Sequence, residues 1–109
     1  MYSRKLLPGL AFFLAITSGQ ASANANIDKM TTYAVLLGRA MGCGVEVKKP
    51  MERVGAWMDK VFPPGSEDQR VILPIFVQGL VDHSKAQSEG RSPDSCSQVR
   101  TAINKTKWP

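Results

Sequence analysis

The chain has 109 residues, of which 14 are Lys or Arg and 9 are Asp or Glu, so its formal net charge is +5. This length is enough for one small domain and excludes the large folds built around a cleft, such as a dinucleotide-binding domain, a TIM barrel or a kinase. One His and two Cys leave few side chains for catalysis or metal binding.

The N-terminus has the three parts of a secretory signal peptide. Arg4 and Lys5 give a positive start, residues 6–16 are apolar, and the small residues Ala-Ser-Ala at 21–23 form a cleavage signature. A membrane-spanning helix needs about 20 apolar residues, and the apolar stretch is about half that long. Cleavage is therefore favoured over an uncleaved membrane anchor.

Cleavage after Ala23 divides the chain into a signal peptide, residues 1–23, and a mature domain, residues 24–109. Cleavage after Ala25 fits almost as well. We expect the mature protein to be periplasmic or secreted, with no stable membrane insertion once the signal peptide is removed.

Cys43 and Cys96 are the only cysteines, and an even number in an exported chain favours a disulfide bond. A bond between them would close a loop of about 54 residues and contribute up to about 4 kcal/mol to stability. An intermolecular disulfide and free thiols are the alternatives. Two distant cysteines and one His do not provide the ligand spacing of a zinc site, and we expect neither a metal nor a cofactor.

Apolar residues recur at three- and four-residue steps in four segments, which predicts amphipathic helices. The first follows a polar lead-in at 24–28, with Asn26 as a possible N-cap, and ends at the glycines that flank Cys43. The second begins near Pro50 and ends at the turn 62–65. Their apolar positions are Ile27, Met30, Tyr33, Ala34, Leu37 and Met41, then Met51, Val54, Trp57, Met58 and Val61.

The third segment begins with a predicted capping box, in which Ser66 is the N-cap and Gln69 the third helical residue. Pro74 should kink this helix or divide a short turn from it, and Gly90 should end it. Its predicted core side consists of Val71, Ile72, Ile75, Phe76, Gly79, Leu80 and His83.

The fourth segment is predicted to start at Ser92-Pro93-Asp94. It places Cys96, Val99 and Ile103 on one side, followed by a basic tail over 104–109. No alternating β pattern is present, so the prediction is an all-α, small four-helix domain stabilised by one disulfide.

Side chains suited to catalysis are scarce. His83 is the only residue that titrates near neutral pH in its ordinary state, and no nucleophile motif surrounds it, so a boundary histidine is the simpler interpretation. Glu46, Glu52 and Asp59 are candidate paired carboxylates, but the Lys and Arg residues around them favour the ionised form, whereas a general acid must hold a proton. We therefore expect no enzymatic activity.

The sequence contains two loose clusters of basic residues, which we interpret as solvated surface and not as a specific anion site. They comprise Lys48, Lys49 and Arg53, and then Arg91, Arg100, Lys105 and Lys107. An exported protein does not meet nucleic acid as its usual partner, so we expect no nucleic-acid binding.

Gly38, Gly55 and Gly79 fall inside predicted helices, where each costs roughly 1 kcal/mol relative to Ala. Such positions indicate a close approach of another backbone, either within the monomer or from a partner. With His83, these glycines form the candidate partner surface. The methionines of the apolar stripes are interpreted first as core and second as an adaptable binding surface.

The layout resembles two groups of exported helical proteins. Its small size and single disulfide are similar to acid-stress chaperones of the HdeA type. Phe76-Val77-Gln78-Gly79, followed by Cys96 and Val99, is similar to the C-terminal half of small immunity proteins of type VI secretion. The resemblance is one of architecture, and the function that we expect is motivated by the missing catalytic residues and by the glycines within helices.

We therefore expect non-catalytic binding to another protein, as an adaptor, an inhibitor or an immunity factor, with a secretion apparatus as one setting. A homodimer is a further option. The alternative is a periplasmic chaperone of the HdeA kind that is activated by acid or stress. A cell-wall hydrolase that uses Glu52 or Asp59 is the third hypothesis.

Overall fold

The structure is a computed structural model that describes residues 25–109, and the predicted signal peptide over 1–23 lies outside the described residues. Within this part of the chain there are four helices and no strand. Helix α1 covers 25–42, α2 covers Lys48–Val61, α3 covers Glu67–Ser88, and α4 covers Cys96–Lys105. The predicted all-α fold with four helices is confirmed.

Helix α1 is already formed at residue 25, so Asn26 lies inside the helix and the predicted cap there is wrong. None of the residues 25–29 is Gly or Pro, so nothing in this segment opposes helical geometry. The predicted end is confirmed. The backbone N–H of Val45 donates to the carbonyl oxygen of Ala40 at 2.9 Å, while Gly44 has a φ of +72°, which together form a Schellman motif.

Helix α3 begins at the predicted cap, because the Ser66 hydroxyl accepts a hydrogen bond from the backbone N–H of Gln69 at 3.2 Å. The Gln69 side chain does not complete a capping box, since its amide donates to Asp59 Oδ1 of α2 at 2.7 Å. Helix α3 continues through Pro74, so of the two predicted effects of this proline, a kink or a division, the division is wrong. The predicted stop is confirmed at Gly90, where φ is +75°.

Helix α4 begins later than predicted. Ser95 is its N-cap and forms a complete capping box with Gln98, in which each side chain bonds the backbone N–H of the other residue. The prediction of a start at Ser92 is wrong, because Asp94 has a different role. Its carboxylate accepts a hydrogen bond from Arg39 of α1 at 2.8 Å, which holds this segment against α1 before the helix starts.

The predicted disulfide is present between Cys43 and Cys96, whose Cα atoms lie 5.6 Å apart. It joins the end of α1 to the first residue of α4. The ion pair between Arg39 and Asp94 lies on the same side of the molecule and links the same two regions. Covalent and ionic contacts therefore both fix α4 to α1.

Two groups of buried side chains form the core. The larger one joins α1, α2 and α3, and the smaller one joins α1 and α4. The larger group consists of Met30, Tyr33, Ala34, Leu37, Val54, Met58, Phe62, Ile72, Phe76 and Leu80. The smaller group consists of Ala40, Val99 and Ile103.

The C-terminal tail packs back onto both groups. The Trp108 ring lies against the core, with its centroid 5.5 Å from that of Tyr33. The guanidinium Nε of Arg53 donates to the carbonyl oxygen of Pro109 at 2.9 Å. The sequence suggested only a basic tail here, and the structure adds an aromatic anchor.

Candidate protein-binding surface on helix α3

Helices α1 and α3 cross at very short range, and glycines make this crossing possible. A methyl group on Gly38 would lie 2.8 Å from the Leu80 carbonyl oxygen and 2.9 Å from Cβ of His83. A methyl group on Gly79 would lie 3.1 Å from Cβ of Ala34. Two of the three predicted glycines, together with His83, thus lie at a contact inside the monomer.

Gly42 belongs to the same crossing, although the sequence suggested only a helix end there. A methyl group at this position would lie 2.5 Å from the Ser84 carbonyl oxygen and 2.8 Å from Cβ of Gln87. Gly38 and Gly42 are four residues apart and so share one side of α1. The four-residue spacing of these two glycines is the sequence signal for a close helix crossing, and the sequence-based prediction did not include Gly42.

Gly55 differs from the other predicted glycines, because it is exposed on α2 and nothing lies within 4 Å of a methyl group placed there. It borders a groove of about 350 Å³ between α2 and α3, together with Met51, Leu73 and Val77. Of the predicted partner surface, this is the residue that faces outward.

Helix α3 has a conventional inner face. Ile72, Phe76 and Leu80 repeat every four residues and are buried in the larger core group. This spacing places them on one side of the helix, toward α1 and α2. The inner face therefore anchors α3 and fixes the direction in which its opposite side points.

The opposite side of α3 is also apolar, and we call it the α3 outer face. It carries five of the seven large hydrophobic side chains that are exposed within residues 25–109, with 46% to 57% of each accessible to solvent. The five are Val71, Leu73, Ile75, Val77 and Val81. The prediction that Val71 and Ile75 belong to the core is wrong, because residues 71–77 are all apolar and encircle the helix.

An open groove of about 670 Å³ runs along the α3 outer face. Arg70, Leu73, Pro74 and Val77 line its floor and rim. Leu73 and Val77 also line the α2–α3 groove, so the two depressions share a wall. Leu73 and Val77 therefore present apolar surface to both grooves.

Charges of opposite sign stand at the two ends of α3. Glu67 and Asp68 occupy its first turn, and Lys85 lies in its last turn. This arrangement complements the helix dipole, which is positive at the N-terminus and negative at the C-terminus. Between them, the Gln78 amide donates to Asp82 Oδ1 at 2.8 Å. The apolar patch is thus bounded by an acidic end and a basic end.

Of the candidate catalytic residues, Glu46 lies in the connector before α2, Glu52 and Asp59 lie on α2, and His83 lies on α3. Asp59 accepts the hydrogen bond from Gln69 of α3, and Glu46 accepts one from the backbone N–H of Lys48 at 2.9 Å. His83 is half-buried at the α1–α3 crossing. Glu46 and Asp59 therefore each have a hydrogen-bond partner within the fold.

Within residues 25–109, no group of three His, Cys, Asp or Glu side chains is arranged to hold a metal ion. In the same part of the chain no helix has the length and apolar character needed to cross a membrane. Comparison with protein-family models, curated proteins and solved structures gives no match to this chain.

Proposed function

We propose that this chain is an exported helical protein that acts without catalysis, by binding another protein through the α3 outer face. An inhibitor, an adaptor and an immunity factor all work in this way. The two grooves and the apolar patch lie side by side, so a partner that covers the patch also reaches Gly55 at the edge of the α2–α3 groove.

The observation that supports the proposal is the concentration of exposed apolar side chains on one helix. Single exposed hydrophobic residues are ordinary on any protein surface. A contiguous patch is different, because covering it with a partner removes apolar area from water. Each Å² removed contributes about 25 cal/mol to the free energy of association. Five such residues lie on α3, against two elsewhere in the described chain, and this concentration supports the α3 outer face as the partner surface.

Export is the second part of the proposal. It is supported by the three-part pattern over residues 1–23 and by the Cys43–Cys96 disulfide, which is compatible with an oxidising compartment. Intact mass measurement of the protein recovered outside the cytoplasm tests it. The expected mass begins at residue 24 or 26 and lacks two hydrogens at the cysteines. Protein that is found only in the cytoplasm and retains residues 1–23 contradicts export, and two reduced thiols in the recovered protein contradict an oxidising compartment.

Site-specific photo-cross-linking in living cells tests the binding surface. The photoreactive residue p-benzoylphenylalanine replaces Val81 on the α3 outer face, and in a matched control it replaces Ala56, which is exposed on α2. We expect ultraviolet light to link position 81 to one defined protein, identified by mass spectrometry, and to give no such product at position 56. Equal cross-linking at both positions, or none at either, contradicts the proposal.

The alternative, an acid-activated chaperone of the HdeA kind, predicts a different response to pH. A chaperone of this type would bind an environment-sensitive dye and protect client proteins far better at pH 3 than at pH 7. Our proposal expects dye binding to the α3 outer face at neutral pH and no gain in client protection on acidification. Strong protection that appears only in acid would favour the chaperone.

A further inference from the structure

We infer that the α3 outer face binds a second copy of this chain, with the two α3 helices running antiparallel. This inference goes beyond the proposed function, because it assigns a second copy of this chain to the surface for which the proposed function expects a different protein. It is carried by the order of charged and apolar residues along α3, which is complementary to its own reverse.

The residues that point directly outward from α3 form a single line. They follow one another in alternating steps of four and three residues, the spacing at which side chains stay on one side of a helix that packs against a partner. All of them are exposed. This line, which we call the α3 seam, consists of Glu67, Val71, Pro74, Gln78, Val81 and Lys85.

The α3 seam is symmetric about Phe76. When a second α3 runs antiparallel to the first and the two Phe76 positions are level, Glu67 lies opposite Lys85, Val71 opposite Val81, and Pro74 opposite Gln78. Every seam residue therefore meets another seam residue when two copies align antiparallel at this register. Such a contact uses the same surface on both copies and closes as a two-fold dimer.

Charge selects the antiparallel arrangement over the parallel one. In the antiparallel pair, the Glu67 carboxylate of each copy faces the Lys85 ammonium of the other, which gives two ion pairs by symmetry. The helix dipoles also oppose each other favourably. In a parallel pair, Glu67 would face Glu67 and Lys85 would face Lys85, and both contacts would be repulsive.

The flanks of the seam widen the apolar contact. Leu73 and Val77 lie on one side of the line, and Ile75 lies on the other. All three are about half exposed in the monomer. A second copy would cover these residues together with the two valines of the seam, so the whole α3 outer face becomes buried in one contact.

Sedimentation velocity of the processed, disulfide-bonded protein over a range of concentrations tests the inference. We expect a monomer–dimer equilibrium in the wild type. Val81→Glu should weaken the dimer about 100-fold or more, because it buries an unpaired charge. Met41→Glu is the matched control, since Met41 is also an exposed apolar residue but lies on α1, and it should leave the dimer unchanged.

Charge reversal tests the register. Glu67→Lys or Lys85→Glu alone should weaken the dimer about tenfold, because each replaces two attractive pairs by two repulsive ones. The double variant Glu67→Lys/Lys85→Glu should return to within about threefold of the wild type. Recovery in the double variant shows that the two side chains pair between copies. If each substitution only weakened its own helix, the two losses of affinity would add in the double variant.

Three results would overturn the inference. They are a wild type that stays monomeric at about 1 mM, a dimer that Val81→Glu leaves intact, and a double charge variant that is weaker than either single one. A monomeric chain whose position 81 still cross-links to a different protein overturns the dimer and leaves the proposed function standing. A dimer whose position 81 links only to its own second copy supports the dimer and contradicts the binding of a different protein at this surface.

Discussion

Both faces of α3 carry large apolar side chains, and the two faces have opposite environments. Phe76 of the inner face is 5% exposed, whereas its neighbour Ile75 of the outer face is 53% exposed. The inner face packs against α1 and α2 through glycine contacts and the larger core group. The large apolar side chains of the outer face are 46% to 57% exposed.

This contrast shows that an apolar stripe specifies burial only when the other side of its helix is polar. Helix α3 is apolar all round over residues 71–77, so the folded chain covers one side and leaves the other exposed. The four predictions that follow test this difference, starting with the largest expected effect.

Truncation of adjacent residues should separate the two faces most sharply. Phe76→Ala removes a buried ring and should lower the free energy of unfolding by about 3–5 kcal/mol. Ile75→Ala, its matched control on the outer face, should change it by about 0.5 kcal/mol or less. Denaturant unfolding of dilute protein measures both. Similar losses at the two positions would show that the outer face is also covered within the monomer.

Removal of the disulfide, which joins α1 to α4, should lower the stability of the monomer. The double variant Cys43→Ser/Cys96→Ser should lower the free energy of unfolding by about 2–4 kcal/mol, mainly because the unfolded chain is no longer constrained. Urea denaturation of oxidised, reduced and variant protein measures the change. Reduced wild type serves as the control and should match the variant. An unchanged unfolding midpoint would show that the bond does not stabilise the helices.

Alanine at two helix glycines should act with opposite signs. Gly38→Ala places a methyl group against the Leu80 backbone, and should lower the free energy of unfolding by about 1–3 kcal/mol. Gly55→Ala meets open space, and should raise it by about 0.5–1 kcal/mol because Gly is a poor helix former. Thermal denaturation compares the two variants. Stabilisation by both substitutions would mean that α1 and α3 do not cross closely.

The smallest effect concerns the start of α4, which holds the disulfide in place. Ser95→Ala removes the capping box and should lower the free energy of unfolding by about 1 kcal/mol. Ser92→Ala is the control, because Ser92 does not cap the helix, and it should have little effect. Chemical denaturation of the two variants distinguishes them. A larger loss at Ser92 would return the helix start to the position that the sequence suggested.

The fold was largely predictable, because its determinants are local. Helical periodicity, the cap at Ser66 and the glycine stop at Gly90 depend on residues close in the chain. The disulfide was predictable because a chain with two cysteines has only one intramolecular pairing. Each of these features was confirmed.

The candidate surface was less predictable, because it depends on which elements pack together. Nothing local distinguishes Val71 from Ile72, since exposure is decided by where α1 and α2 lie. The Ser92 start failed for the same reason, because Asp94 is engaged by Arg39, which is 55 residues away in the chain. Gly55 was identified by its helix penalty, but its place beside the α2–α3 groove required the structure.

Carbene footprinting of the peptide between Arg70 and Lys85 tests most directly whether the α3 outer face is the surface that a partner covers. In dilute, purified protein we predict strong labelling of Val71, Val77 and Val81 and weak labelling of Phe76 and Leu80. Once the protein self-associates at high concentration or is mixed with an extract of the cells that make it, the three valines should become protected. Valines already protected in the dilute monomer, or still labelled in every condition, would contradict this assignment.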